Sequence, residues 1–286
     1  MTELSSTATE DAAAEGPATM GSAAEGPAAE GGGSGRSAGY VQSLDRGLAV
    51  IRAFDADHPR LTLSDVARRT GLTRAAARRF LHTLVDIGYV DADGRLFTLR
   101  PRVLELGFAY LSALGLPEIA RPHLERLAAV VGESASLSVL DGTDITYVAR
   151  VAARRIMSVD LGVGTRLPAY ATSMGRVLLA GLPPSDLNEH LAELEPLTRY
   201  TITERSHLLA ELDRVRGQGW SVVDEELEEG LRSMAAPVRD GRGVVAAAVN
   251  VSTAARRGSV TTMAAEILPH LLEAAAAISD DLAASR

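Results

Sequence analysis

The stretch Thr73–Leu84, TRAAARRFLHTL, carries the most specific chemistry in the chain. Arg74, Arg78 and His82 step by four residues, one row on a helix, and Ala75 and Arg79 flank that row. Ala77, Phe80, Leu81 and Leu84 recur at three- and four-residue spacing and form a separate apolar stripe. Thr73 suits the N-cap, because its hydroxyl can accept from a free N–H of the first turn. Such a helix fits the major groove of DNA. Small residues near its start allow close approach, and Arg bridges guanine O6 and N7 or grips phosphate. A surface helix with solvated arginines has the same pattern, so the flanking elements must decide.

Residues 43–56 read as a first helix, capped by Ser43 and apolar at Leu44, Leu48, Ile51 and Phe54; Asp57-His58-Pro59 ends it. Thr62 opens a second, with Asp65 three positions on in a capping-box arrangement, Val66 and Ala67 inward and Gly71 closing it. Gly71-Leu72-Thr73 is then the tight turn of a helix-turn-helix. Gly88 stops the third helix. Tyr89-Val90, the turn Asp91–Gly94 and Arg95–Leu99 read as a hairpin, the wing of a winged helix, with Arg95 beside the turn in reach of phosphate. Pro101 starts a further helix, apolar at Val103, Leu104, Leu106, Phe108 and Leu111. That is too much apolar surface for an isolated linker, and the same helix of a second subunit is the expected cover.

Charge separates along the chain. The whole carries −8, yet residues 40–102 hold 11 Arg against 7 Asp, a local +4, and lysine is absent throughout. A basic segment on an acidic protein is the electrostatic footprint of DNA binding. Residues 1–39 are rich in Ala, Gly, Glu, Ser and Pro, with AAEGPA at 13–18 and again at 23–28. They bury too little apolar surface to offset chain entropy and are expected to be a disordered tail. No cysteine means no disulfide, thiol nucleophile or Cys-ligated metal, which fits a cytoplasmic protein. No apolar run reaches the ~20 residues of a membrane span, and no signal peptide is evident.

From Ser134 the pattern changes. Strands are expected at Ala135–Leu140, Ile145–Val151, Met157–Val163, Ser221–Asp224, Met234–Arg239 and Val244–Ser252. Helices are expected over about Pro117–Val131, 173–181, 184–193, 204–217 and 259–283. Strands in runs with helices packed against them give an α+β domain with a mostly antiparallel sheet flanked by helices.

Several catalytic readings fail. Gly162-Val163-Gly164 lacks the third glycine of a dinucleotide loop, since Leu167 stands there. Ala171-Thr172-Ser173-Met174-Gly175 lacks the first glycine of a nucleophile elbow. The six histidines have no ligand spacing, and the acidic run Asp224–Glu229 reads as a solvated loop or helix start rather than a metal site. No cofactor and no metal are expected.

With these residues in view, the chain resembles the IclR family of bacterial transcriptional regulators over about 40–283. Within it, the likeness is to the branch controlling aromatic-acid catabolism through the β-ketoadipate pathway, the protocatechuate and 4-hydroxybenzoate regulators. YVQSLDRGLAVIRAF at 40–54, LTRAAARRFLHTL at 72–84, LRPRVLELGFAYL at 99–111, RRIMSVDLGVGTRLPAYATSMGRVLLA at 154–180, GLRSMAAPV at 230–238 and NVST at 250–253 carry it. That branch often has a histidine just after NVST, where this chain has Ala254. The resemblance implies a winged helix-turn-helix over 40–100, a dimerising linker helix over 101–116 and an effector-binding domain over 117–286. It also implies a homodimer or homotetramer on a double-stranded DNA operator.

Gln42, Ser43, Thr62, Thr73, Arg74, Ala75, Arg78, Arg79, His82 and Arg95 are the residues expected to meet DNA. For the effector, the resemblance points to Ile156, Val159 and Leu167 as apolar walls, Ser173 and Met174 at a helix start, and Asp224, Leu231, Ser233, Asn250 and Ser252 on the sheet. A helix N-terminus suits a carboxylate, the hydroxyls and amide orient a ligand, and Arg154 and Arg155 suit a second carboxylate. A small aromatic or dicarboxylic acid is the expected effector. The competing readings are a hydrolase-like enzyme with an accessory winged helix, for which Ser173 lacks a charge-relay partner in the sequence, and an architectural DNA-binding protein without effector.

Overall fold

The computed structural model describes residues 39–107, 110, 115–152, 161–191 and 193–285. The chain divides into two compact units, one ending at Leu99 and the other beginning at Arg100. Apart from Gly39, the expected tail over 1–39 lies outside the described residues.

In the first unit, α1 (Gln42–Arg52), α2 (Leu63–Thr70) and α3 (Arg74–Asp86) enclose a core of Val50, Phe54, Leu61, Val66, Ala77, Leu81, Leu84, Val90 and Phe97. The capping box forms as expected. The Asp65 N–H donates to Thr62 Oγ1 at 3.2 Å and the Thr62 N–H donates to Asp65 Oδ2 at 3.1 Å. Those Thr62 donors, the hydroxyl foremost, hold the Asp65 carboxyl below its usual pKa. Gly71 takes φ +67, the left-handed conformation that lets the chain turn sharply into α3. Thr73 caps α3, accepting from the Ala76 N–H at 3.2 Å.

Three details of this unit depart from the sequence reading. The residue before α1 is Val41, which has no capping group, and Ser43 lies inside the first turn. Leu44 and Leu48 are 64% and 42% exposed rather than inward, because α1 turns Val50 and its C-terminal end to the core. The wing is a three-stranded antiparallel sheet in the order β1-β3-β2, made of β1 (Arg60–Thr62), β2 (Val90–Asp93) and β3 (Leu96–Leu99). Asp93 pairs with Leu96, so the turn is Gly94-Arg95 and Arg95 stands at its tip. Positive φ falls on Gly94, where only glycine is relaxed. The extra strand β1 pairs Leu61 with Phe97 and buries both.

The second unit opens with a 3-10 turn at Pro101–Leu104 that continues as helix through 107. Leu104 and Leu106 are exposed, while Phe108 and Leu111 of the expected linker helix lie outside the described residues. A six-stranded antiparallel sheet follows. It comprises β4 (Ser134–Asp141), β5 (Asp144–Val151), β6 (Arg166–Pro168), β7 (Ser221–Asp224), β8 (Leu231–Arg239) and β9 (Val245–Ala254), ordered β6-β5-β4-β9-β8-β7. On one face pack α4 (Leu116–Val131), α8 (Val260–Glu266) and α9 (Leu268–Ala284), against Ala135, Leu137, Val148, Ala149, Met234, Val249 and Val251. On the other pack α5 (Ser173–Ala180), α6 (Leu187–His190) and α7 (Arg205–Gln218), against Ile145, Tyr147, Ala235 and Ala248. The α+β architecture is as expected, with an antiparallel sheet flanked by helices.

Corrections here have local causes. Most of the expected strand Met157–Val163 lies outside the described residues, and its described part, 161–163, is not strand; Arg166–Pro168 forms the edge instead. The helix expected over 259–283 breaks at Ile267, because Pro269 in the first turn of α9 has no N–H to extend the ladder of α8.

Candidate functional site

On α3 the apolar stripe is inward and the cationic row outward. Ala77, Leu81 and Leu84 are buried, Phe80 is half-buried, and Arg74, Ala75, Arg78, Arg79 and His82 are exposed. The exposed arginines are also uncompensated. Within this unit Arg52, Arg60, Arg68 and Arg69 pair with Asp45, Asp93, Asp65 and Asp55. Arg74, Arg78, Arg79 and the wing-tip Arg95 form no ion pair among the described residues. Arg78 only donates, from Nε to His82 Nε2 at 3.4 Å. Cations without a carboxylate partner are free to neutralise phosphate or read guanine. Gln42 and Ser43 are exposed in the first turn of α1 and so available. The Thr62 hydroxyl is committed to its capping box and only half-exposed, and the Thr73 hydroxyl also caps its helix.

In the second unit the sheet face under α5 carries a group of polar residues among the apolar Ile145, Tyr147, Ala235 and Ala248. Ser134, Ser136 and Ser138 of β4, Asn250 and Ser252 of β9, and Ser233 of β8 share it. In register, Ser134 opposes Ser252, which opposes Ser233; Ser136 opposes Asn250. The first turn of α5 closes over them. Ser173 Oγ bonds Ser233 Oγ at 2.9 Å, and Ser138 Oγ donates to Met174 Sδ at 3.2 Å. Asn250 Nδ2 donates to Ser252 Oγ at 3.0 Å. Ser173, Met174, Ser233, Asn250 and Ser252 of the expected set are therefore brought together. Leu231 begins β8 on the same face by alternation, and Leu167 packs at the edge of the same core.

One residue of the expected set lies elsewhere, and four are not described. Arg154, Arg155, Ile156 and Val159 lie outside the described residues. Asp224 opposes Arg232 on the other face of the sheet, where Arg232 donates to both its oxygens at 2.7 and 2.9 Å. The acidic run is not solvated throughout either: Glu226 is buried and bound by Arg176. Sequence reading missed Ser134, Ser136, Ser138, Tyr147 and Arg150, although the alternation Ser-Ala-Ser-Leu-Ser over 134–138 marks a polar strand face. Burial pushes the Tyr147 phenol up to about 12, against a smaller lowering by the Arg150 charge, so it stays a protonated O–H.

A single glycine sets the height of α5. A Cβ on Gly175 would lie 2.1 Å from the carbonyl oxygen of Ala169, in the 3-10 turn Ala169–Ala171 that precedes the helix. We expect Gly175→Ala to lift this turn, cost about 1–3 kcal/mol of overpacking and weaken any ligand response. Urea denaturation checks the first part; an unchanged midpoint would show that the turn yields freely.

Comparison with known proteins now decides the family. The model of the bacterial transcriptional regulator IclR C-terminal domain matches residues 108–280, and that of the IclR helix-turn-helix domain matches 43–94. The chain belongs to the IclR family. It is a ligand-responsive, DNA-binding transcriptional regulator, its recognition unit the first and its effector unit the second. A Pca regulon regulatory protein of Pseudomonas putida is 48% identical over 238 residues, covering 82% of each chain. A Rhodococcus sp. RHA1 protein of solved structure is 57% identical with TM-score 0.77, covering 86% of this chain and all (100%) of that one. An IclR homologue from Microbacterium hydrocarbonoxydans, solved in complex with 4-hydroxybenzoate, is 29% identical with TM-score 0.75, covering 85% of this chain and 100% of that one.

Proposed function

We propose that this IclR-family regulator controls aromatic-acid catabolic genes of the β-ketoadipate pathway in response to a small carboxylic acid. The observation that carries the reading is the 48% identity, along 82% of both chains, with a Pca regulon regulatory protein. The polar sheet face beneath α5, walled by aliphatic side chains, supports it: such a surface suits an aromatic ring bearing oxygen substituents. The family also favours a regulator over a hydrolase-like enzyme.

In this reading Arg74, Arg78, Arg79, Ala75 and His82 enter the major groove, while Gln42, Ser43, Thr62, Thr73 and Arg95 meet the backbone. Ser173, Met174, Leu167, Leu231, Ser233, Asn250 and Ser252 hold the effector, with Arg154, Arg155, Ile156 and Val159 completing its wall. The winged helix spans 40–100, the linker helix 101–116 and the effector domain 117–286. The linker pairs with that of a second copy, in a homodimer or homotetramer; the exposed Leu104 and Leu106 supply apolar surface for it. Such a regulator works in the cytoplasm, and among the described residues no helix is long and apolar enough to cross a membrane.

Fluorescence anisotropy of the full chain on its promoter DNA, at fixed salt, tests the reading. Protocatechuate, 4-hydroxybenzoate or β-ketoadipate should change the DNA dissociation constant by about 5- to 150-fold, the usual size of an allosteric coupling. No response to any of the three would sink the pathway assignment.

A further inference from the structure

The effector face contains a cation that no carboxylate among the described residues neutralises. Arg150 lies in β5 opposite Ser136, and its Nη1 donates to Ser136 Oγ at 3.2 Å. Among the described residues no carboxylate pairs with it. Its direction is set by a β-bulge. The pairing of β4 with β5 shifts between Leu137 and Ser138, so Ser136 opposes Arg150 while Ser138 opposes Tyr147. Residues three apart on a regular strand point to opposite faces. Here Val148 and Ala149 both pack into the α4–α9 core, and Tyr147 and Arg150 both turn to the other face. Bulges commonly re-aim a side chain beside a binding site.

The same row continues across the sheet. Arg150 opposes Ser136, Ser136 opposes Asn250, and Asn250 opposes the small Ala235. Asn250 is 3% exposed, and its Oδ1 has no hydrogen-bond partner among the described residues. A buried carbonyl oxygen without a donor is costly, so this oxygen is suited to receive one. Adjacent strands lie about 4.8 Å apart, which places an anion-binding guanidinium and an orphan acceptor two strands apart on one floor.

We propose that Arg150 is the carboxylate anchor of the effector site and that Asn250 Oδ1 accepts from a hydroxyl at the far end of the ligand. The ligand class is a hydroxy-substituted carboxylic acid. The assignment rests on the functional reading above, but replaces the helix N-terminus and the Arg154-Arg155 pair as the primary carboxylate contacts. The Arg150 guanidinium donates two N–H groups to the carboxylate, with the Ser136 hydroxyl and the Tyr147 O–H beside it. Arg150 determines specificity for the acid; Asn250 determines it for the hydroxyl.

Isothermal titration of the full chain with matched probes tests the assignment: 4-hydroxybenzoate, protocatechuate, benzoate, the neutral 4-hydroxybenzamide, and β-ketoadipate. Wild-type protein should prefer 4-hydroxybenzoate to its amide by about 10- to 100-fold, as a charge-assisted hydrogen bond implies. Arg150→Gln should bring that ratio close to one while 4-hydroxybenzamide still binds, which a merely unfolded variant would not do. Arg150→Lys should recover part of the ratio. Asn250→Ala should erase the preference for 4-hydroxybenzoate over benzoate alone. If the wild type binds the aromatic acids and Arg150→Gln keeps the acid–amide ratio, the anchor is wrong and the pathway reading stands. If only β-ketoadipate binds, in an Arg150-dependent way, the aromatic reading and the Asn250 assignment fail and the anchor stands. Equal binding of acid and amide by the wild type, or no binding of any carboxylate, overturns the anchor.

Discussion

Glu226→Ala is expected to destabilise the C-terminal unit by about 3–5 kcal/mol, the usual result of removing one partner of a buried ion pair. Arg176, in α5, is 1% exposed, and each of its three guanidinium nitrogens donates a hydrogen bond. Nε donates to the Tyr170 carbonyl at 2.9 Å, and Nη1 and Nη2 donate to the two Glu226 oxygens at 2.8 and 2.5 Å. Glu226 Oε2 also accepts the Ile202 N–H at 3.1 Å, while its backbone carbonyl accepts from Thr201 Oγ1 at 2.6 Å. The pair thus ties α5, the segment 198–202 and the β7–β8 connection together. Removing the carboxylate leaves a charged guanidinium in a site that water does not reach. Glu211, whose oxygen stands 3.9 Å from Arg176 Nη1, is too distant to take over both N–H groups. A double variant, Arg176→Met with Glu226→Leu, should recover most of the loss, since apolar replacement of both charges is often neutral. A double-mutant cycle in urea checks this. A Glu226→Ala loss under about 1 kcal/mol, the size of an exposed pair, would mean that the pair is effectively solvated. Because Ser173 and Met174 sit one turn before Arg176, the single variant should also blunt the effector response, and the double variant should restore it.

That pair shows where the sequence stops being legible. Glu226 sits in a run of acids that composition alone reads as solvated, and Arg176 sits in an apolar helix four residues after a threonine cap. Nothing local announces that they meet across 50 residues. By contrast, the recognition unit is legible because its signals are local: caps at Thr62 and Thr73, a turn glycine at 71, and three- and four-residue apolar spacing. The sheet strands are legible in place but not in phase. Alternation assigns a residue to a face only while the ladder is regular, and one extra residue in β5 moves Arg150 to the face of Tyr147. Likewise Asp224 resembles a site residue by position, yet its register with Arg232 puts it on the opposite face. Leu44 and Leu48 match a core pattern because amphipathic spacing does not distinguish a face that meets the same chain from one left exposed on it.

The second large effect belongs to α3. Replacing Arg74, Arg78 and Arg79 together by Ala should weaken operator binding by at least about 100-fold, since each interaction of this type contributes about 1–3 kcal/mol. It should also flatten the dependence of log affinity on log salt by up to about 3, one unit for each phosphate no longer neutralised. The fold should survive, because all three side chains are exposed and none forms an ion pair among the described residues. Alanine is moreover the strongest helix former. Thermal melting of the triple variant therefore separates weakened DNA recognition from a damaged fold. Single variants separate the roles within the row. Arg74 lies in the first turn of α3, next to the small Ala75 and Ala76, where a recognition helix approaches base edges most closely. Arg74→Ala should lose more affinity on the specific site than on scrambled DNA. Arg95→Ala, at the tip of the wing, should lose the same on both, because a backbone interaction carries no sequence information. Unchanged affinity and salt slope in the triple variant would show that α3 is not the reading helix. Equal loss by Arg74→Ala on both DNAs would instead reduce Arg74 to a phosphate ligand and leave base reading to Arg78 and Arg79.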